Sequence, residues 1–319
     1  MNYGVIDLGA NTVRLSVYGV CNDQIVKIFT KKIVAGLAAY VVNGHLTMEG
    51  MLKACEVLDT LKKVAGNVMD LNNLHVFATA SLRNILNSDE AVEIIQEKTG
   101  LSPDILSYDE EASMGFTGIS RAISCENGLM MDIGGASTEF VHIQNYKAVD
   151  FASVPIGCLN LYVNNVKNII PTEEERKAIR NTIKTHLAKV EWDVNYPTVI
   201  CVGGTARASL KLSQTLFRLP KSQNQITLKD IKQISCLIKE SGTDNNYIHH
   251  TIYKTVPERT LTLFTGLAIL KRAMKKFGSE TMIVSQQGVR EGYLIDRVLN
   301  KNGKSSQLHA KQGLVLAKV

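Results

Sequence analysis

The chain opens on two stretches, residues 3–18 and roughly 23–34, in which apolar residues alternate with polar ones. A period of two marks strands with one face buried. After the turn signal Asn43-Gly44 the period changes. From Thr47, an N-cap candidate, Met51, Ala54, Leu58, Leu61, Ala65 and Val68 recur at helical spacing. Leu74–Ala78 reads as a short buried strand that runs into Thr79-Ala80-Ser81-Leu82-Arg83-Asn84. Asn87 or Ser88 caps a helix that stops at Gly100. Leu101–Leu106 is another short strand, delivering Ser107-Tyr108-Asp109-Glu110-Glu111 to the start of a helix.

Asn127-Gly128 opens a second half with the same rhythm. A strand precedes Asp132, and the segment from Val149 to Pro155 extends the sheet. Thr172 and Glu175 fit a capping box for a helix to about Val190. Pro197 precedes a strand to Val202, and Thr227 with Asp230 starts a helix that stops near Gly242. The segments 213–225 and 243–256 are polar and read as mobile loops. Thr262–Phe277 is an apolar helix, Thr281–Ser285 a last strand, and Gln286–Gly292 the start of a final helix. Strands alternating with helices predict an α/β protein.

Three turns in this pattern share one grammar. Met130-Met131-Asp132-Ile133-Gly134-Gly135-Ala136-Ser137-Thr138-Glu139 is an apolar strand, an aspartate, a glycine turn and a resumed strand. Val5-Ile6-Asp7-Leu8-Gly9-Ala10-Asn11-Thr12 repeats it, Asp7 matching Asp132 and Gly9 matching Gly134. Such a repeat predicts a duplicated domain, with the two turns facing each other across a cleft. Val199–Val202 runs into Gly203-Gly204-Thr205, which opens a helix whose first N–H groups lie ready for an anion. Glycines allow positive φ and close approach of a ligand, and successive amides form an anion-binding concavity. Ordinary tight hairpins with solvated carboxylates are the alternative; three such turns in one chain favour a phosphate site.

Composition narrows the class. The 319 residues suggest about two domains, and 45% hydrophobic with 21% charged residues is ordinary for a globular protein. The net charge of +6 favours anionic partners, or a basic surface kept for solubility. No dense basic run points to duplex nucleic acid. The six cysteines form no Cys-x-x-Cys pair and read as small core residues. His249-His250 lies in a polar stretch and reads as solvated; no histidine pair has zinc spacing. Gly303-Lys304-Ser305 ends like a phosphate-binding loop, but Val298 stands where its leading glycine belongs. No apolar run approaches the ~20 residues of a membrane span. The N-terminus enters a strand at once, without a signal pattern, so a cytoplasmic protein is expected.

Backbone turns for phosphates beside carboxylates for a metal describe phosphoryl transfer, in which positioning and charge stabilisation dominate. A site rich in oxygen ligands suits Mg2+. Asp132 and Glu139 stand beside the turn. Glu111 is the candidate base for activating water, although acids in a first helical turn also serve the macrodipole. Arg83, just past a strand end, can fork onto phosphate or simply be solvated.

The chain resembles the exopolyphosphatase/guanosine pentaphosphate phosphatase family of the actin, Hsp70 and sugar-kinase superfamily. The residues that carry this are Asp7–Thr12, Ala78–Arg83, Glu110-Glu111-Ala112, Asp132–Glu139, Pro155-Ile156-Gly157, Gly203-Gly204-Thr205, Glu258-Arg259 and Gly288–Gly292. The resemblance implies two ribonuclease-H-like α/β domains with mixed five-stranded sheets facing a central cleft. The domains would be 1–122, with a segment of about 300–319 packing back on it, and 123–299, the short two-domain form. It implies metal-dependent removal of terminal phosphate from inorganic polyphosphate, or of the 5′ γ-phosphate from guanosine pentaphosphate, and homodimers are found in such a family. By matching, Glu111 would activate water, Glu139 would order that water or hold the metal, and Arg83 would clamp the phosphates. Asp132, Glu139 and Asp7 would serve Mg2+. Asn11, Thr12, Gly134, Gly135, Ser137, Gly203, Gly204 and Thr205 would bind phosphates. A phosphotransferase, or a non-catalytic guanosine-phosphate sensor, is the alternative. Departures from the family are Ala136 for a third glycine, Leu261 for an aspartate, and no arginine in Ile33–Ala38.

Overall fold

The opening period-two pattern folds into an antiparallel meander of β1 (Asn2–Leu8), β2 (Thr12–Cys21) and β3 (Gln24–Val34). The computed structural model describes residues 1–21, 24–240 and 246–300. A small hairpin of β4 (Val41–Val42) and β5 (His45–Leu46) turns through Asn43 and Gly44, both at positive φ (50° and 78°). Helix α1 (Met48–Gly66) follows, its first turn capped by Thr47 Oγ1, which accepts from the Gly50 amide at 3.2 Å. Then come β6 (Leu74–Ala78), α2 (Ala80–Arg83), α3 (Ser88–Thr99), β7 (Asp104–Ile105) and α4 (Tyr108–Ser120). Asn87 stands at the N-cap of α3, but its side chain is spent on the Leu46 amide and carbonyl, at 2.9 and 3.1 Å. The sheet order is β3-β2-β1-β6-β7, with β6 parallel to β1 and β7 parallel to β6.

The second half repeats this plan. β8 (Gly128–Ile133), β9 (Thr138–Gln144) and β10 (Lys147–Val154) form the meander. They lead to α5 (Cys158–Asn165), α6 (Glu173–Leu187), β11 (Thr198–Val202), α7 (Gly203–Leu216) and β12 (Gln225–Thr227). After these come α8 (Leu228–Glu240), α9 (Asn246–Thr255), α10 (Leu263–Lys276) and β13 (Thr281–Val284). The order is β10-β9-β8-β11-β13-β12. Without β12 the two sheets match in order and direction: three antiparallel strands, then two parallel ones. The sixth strand, β12, adds antiparallel to the outer edge beside β13.

Two segments expected as mobile loops are helical in part. Of 243–256, residues 246–255 form α9, because Ile248 and Ile252, four apart, are buried among polar neighbours. Residues 243–245 and the expected stop at Gly242 lie outside the described residues. In 213–225, α7 continues to Leu216, and Gln214 Nε2 then holds the Gln223 carbonyl at 2.8 Å.

The chain divides into two compact units: Met1–Ser124 with the segment from Val289 onward, and Cys125–Gly288. The return to the first unit therefore begins at Val289, not near 300 as expected, and the second unit ends at Gly288. Helix α11 (Val289–Tyr293) and the π-helical turn Leu294–Leu299 pack Tyr293, Leu294, Val298 and Leu299 against Tyr3, Val5, Tyr18, Phe77, Leu106 and Met114. Gly292 allows the approach, since a Cβ there would overlap the Met114 carbonyl. Arg290 and Glu291 enter the same layer; Arg290 Nη1 donates to Ser16 Oγ at 3.1 Å, and Glu291 meets the Tyr18 hydroxyl at 2.8 Å and Lys27 Nζ at 2.9 Å. The expected segment 300–319 lies almost wholly outside the described residues. Among the described residues no helix is long and apolar enough to cross a membrane.

Candidate active site

In the β1–β2 turn the carbonyls face inward. Ala10 accepts from the Ala38 amide at 2.9 Å, and Asn11 from Ala35 and Gly36 at 3.0 Å each. The amides of Gly9, Ala10 and Asn11 have no acceptor among the described residues. The β8–β9 turn is built alike. Gly134 accepts from Cys158 at 3.0 Å, Gly135 from Leu159 at 2.8 Å, and Ala136 from Asn160 Nδ2 at 2.7 Å. The amides of Gly135, Ala136 and Ser137 have no acceptor among the described residues. Each turn thus has its carbonyls tied into the protein and three successive amides left over, the form of an anion-binding nest.

Of the two uses the sequence offered for the glycines of these turns, positive φ is not met; no residue of either turn has it. They are needed for close approach. A Cβ on Gly9 would come 2.7 Å from the Thr12 carbonyl oxygen, and one on Gly134 would come 3.2 Å from that of Ser137. Alanine is therefore acceptable at 136. Behind the second turn, a Cβ on Gly157 would overlap the Gly135 backbone. Gly157 also donates to Asn160 Oδ1 at 2.8 Å, so Asn160 ties α5 to the turn from both sides.

Asp132 and Glu139 are direct partners across β8 and β9. Glu139 is buried and accepts from Ser153 Oγ at 3.2 Å. Val202 stands beside Asp132 in the parallel ladder. The chain then turns at Gly203, with φ of 83°, where a Cβ would overlap Asp132 Oδ1. Helix α7 starts there, and Thr205 Oγ1 donates to the Ile133 carbonyl at 3.4 Å. The guanidinium of Arg259 lies against Gly204 and donates to Cys158 Sγ at 3.5 Å. Burial, and then the Asp132 charge, push the Cys201 thiol well above its usual range, which makes it inert. The second unit so gathers Asp132, Gly134, Gly135, Ser137, Glu139, Gly203, Gly204 and Thr205.

The first unit gathers Asp7, Asn11, Thr12, Arg83 and Glu111. Asp7 pairs across the hairpin with Arg14, and Ser81 Oγ donates to the Leu8 carbonyl, tying α2 to the strand end. Arg83 Nη1 donates to the Leu106 carbonyl and to Glu111 Oε2, both at 2.8 Å. Its Nε and Nη2 are buried without a hydrogen-bond partner among the described residues. The Tyr108 ring lies 3.7 Å from the guanidinium carbon, and its hydroxyl donates to Asn84 Oδ1 at 2.9 Å. The two readings of the acidic run separate. Glu110 completes the capping box with Ser107, whose amide, ahead of Arg297, holds its carboxyl below the usual range. Glu111, one residue on, faces Arg83.

Among the described residues, no three His, Cys, Asp or Glu side chains are grouped as a metal cage. Asp132 and Glu139, cross-strand partners, are two carboxylates of the kind a hard divalent cation would take, with water and phosphate completing its shell. Tyr108 and Asn160 were not singled out from sequence, and Gly157 and Arg259 only as parts of motifs. No periodicity marks such residues, because their roles depend on contacts across 20 or more positions.

The model of the Ppx/GppA phosphatase family matches residues 18–301. A guanosine-5'-triphosphate,3'-diphosphate pyrophosphatase of Vibrio cholerae is 25% identical over 313 residues, 93% of this chain. The chain spans 59% of that relative's length. A solved Aquifex aeolicus member of the family aligns with a TM-score of 0.76 and 25% identity, over 95% of this chain and 99% of that one. A structure described as an exopolyphosphatase from Cytophaga hutchinsonii aligns with a TM-score of 0.78 at 20% identity, over 95% of this chain and 98% of that one, which bears on the fold.

Proposed function

Because the chain belongs to the Ppx/GppA phosphatase family, we propose that it is a phosphoanhydride hydrolase that removes terminal phosphate from inorganic polyphosphate, the 5′ γ-phosphate of guanosine pentaphosphate, or both. The observation that carries this is the pair of hairpin turns, each with bonded carbonyls and three amides without an acceptor among the described residues. Amides so placed suit phosphoryl oxygens of either substrate, and they stabilise developing charge without reorganising.

In this reading Glu111 accepts the proton of the attacking water. Its carboxylate is held by Arg83 Nη1, which fixes its direction. The remaining Arg83 donors and Arg259 meet phosphoryl oxygens, and the first turn of α7 adds its amides. Asp132 and Glu139 would hold Mg2+; the ion, when bound, would neutralise charge on the phosphates. A cytoplasmic location fits such substrates, and a homodimer is the proposed assembly.

The test is phosphate release from long-chain polyphosphate and from guanosine pentaphosphate, each with and without Mg2+. Release from neither overturns the proposal. Transfer of the phosphoryl group to added nucleoside diphosphate instead of water would mark a phosphotransferase. Tight binding of guanosine tetraphosphate without any turnover would mark a sensor.

A further inference from the structure

Helix α10 packs against both α6 and α8 in the second unit. These three helices carry eleven lysines and arginines against five acids, a net +6 that equals the formal net charge of the whole chain. The acids are largely spent. Glu173 engages Arg176, Arg180 and Lys239 at 3.1, 3.2 and 3.5 Å. Glu175 and Asp230 cap their own helices. Lys232, Lys271, Arg272 and Lys275 have no ion pair among the described residues. Their mutual repulsion is felt: burial, and then Lys275, Arg180, Arg272 and Lys232, push the Lys271 ammonium below its usual range.

The layer connects to the candidate site through α10 itself. Thr265 Oγ1 donates to the Cys158 carbonyl at 2.6 Å, and Gly266 lies against Thr205. Lys271 to Lys275 begin six residues further on, about 9–15 Å along the helix axis. The neighbours of these cations also restrict the ligand. The helices carry no tyrosine or tryptophan, and Phe264 is only half exposed, so stacking on nucleobases has no platform. None of the large exposed apolar side chains lies on them, so a membrane surface finds nothing to insert.

Resting on the proposed phosphatase activity, we propose that the face formed by α6, α8 and α10 is an accessory binding site for long-chain inorganic polyphosphate, a flexible polyanion without bases or acyl tails. It holds the part of the chain remote from the cleaved end, and so favours long substrates over short ones.

The test compares wild type with K271A/R272A/K275A and with K271E/R272E/K275E. Each is assayed on long-chain polyphosphate and on tripolyphosphate, alongside thermal unfolding and direct binding of long-chain polyphosphate without Mg2+. The expected result is a KM for the long chain raised about tenfold in the alanine variant and more in the glutamate variant. The dependence of binding on salt should become shallower as charges are removed. KM for tripolyphosphate should change less than about twofold, and kcat and melting temperature should hold. Equal changes for both substrates, or none, overturn the proposal. If the glutamate variant fails to fold, the alanine variant carries the same comparison. RNA or anionic vesicles that compete as well as polyphosphate at equal charge overturn the choice of ligand. Absence of hydrolysis by wild type on every substrate defeats the functional reading instead, and the binding measurement still decides the accessory site.

Discussion

Gly204→Ala separates two uses of a glycine. The residue sits at the start of α7 without positive φ, and its backbone accepts an alanine. In a helix, alanine is favoured over glycine by up to about 1 kcal/mol. The added Cβ would overlap Arg259 Nη2, the far end of a flexible side chain whose one hydrogen bond among the described residues is the 3.5 Å contact to Cys158 Sγ. The guanidinium can swing away at little cost, so stability should change by less than about 1 kcal/mol. Activity should not survive as well. A hydrogen bond between charged groups is worth about 1.5–3 kcal/mol, so losing the Arg259 contact lowers kcat/KM by about tenfold to a hundredfold. The assay is phosphate release with thermal unfolding in parallel. Arg259→Ala should show the same loss, and the double variant should be little worse than either, as residues acting through one contact do not add. Gly157→Ala is the contrast. There the Cβ meets the Gly135 backbone, which cannot move without opening the turn, so stability and activity fall together. Wild-type kcat/KM in a folded Gly204→Ala protein would refute the placement of Arg259 as a phosphate contact.

Tyr108→Phe keeps the ring beneath Arg83 and should keep activity, whereas Tyr108→Leu removes a cation–π contact worth about 0.5–2 kcal/mol and should raise KM several-fold; equal behaviour of the two variants would contradict a stacking role. Glu291→Gln should destabilise the protein by about 3–5 kcal/mol at pH 7, because it leaves Arg290 and Lys27 without their buried carboxylate. Burial opposes the charge of Glu291, but Arg290 and then Lys27 outweigh it, and its carboxyl stays below the usual range. That stabilisation is full above the unfolded carboxylate value, about pH 4.3, and is lost as pH falls through the lower folded value. The gap between wild type and Glu291→Gln should therefore narrow only below about pH 4.3 in unfolding titrations, and a gap constant from pH 7 to 3 would contradict the assignment.

Much of the fold was legible because burial follows simple periods. The alternation over 3–18 and the helical spacing from Met51 to Ala65 each report one buried face, and both appear as β1, β2 and α1. Caps were legible where the side chain acts locally, as at Thr47 and Thr172. Asn87 was not, since its amide is drawn to Leu46, 41 positions away. Helix α9 was obscured because two buried isoleucines among Asn, Tyr, His and Thr make too narrow a stripe. The return of the chain at Val289 was placed late because Arg290 and Glu291 look like surface residues; only Ser16, Tyr18 and Lys27 explain their burial. At the site, the Asp and Gly positions were visible as a repeated motif, while their use was not. Close approach rather than positive φ explains Gly9 and Gly134, and positive φ appears only at Gly203. The pairing of Arg83 with Glu111 joins α2 to α4, two segments whose sequences carry no sign of each other.

The central claim rests on the Glu111 carboxylate as the group that takes the proton from water. Glu111→Gln preserves size and can still meet Arg83, so a folded variant isolates the loss of basicity. Phosphate release in Mg2+ from long-chain polyphosphate and guanosine pentaphosphate should fall by about a hundredfold or more on whichever substrate wild type turns over. Wild-type turnover in a folded Glu111→Gln protein would contradict it.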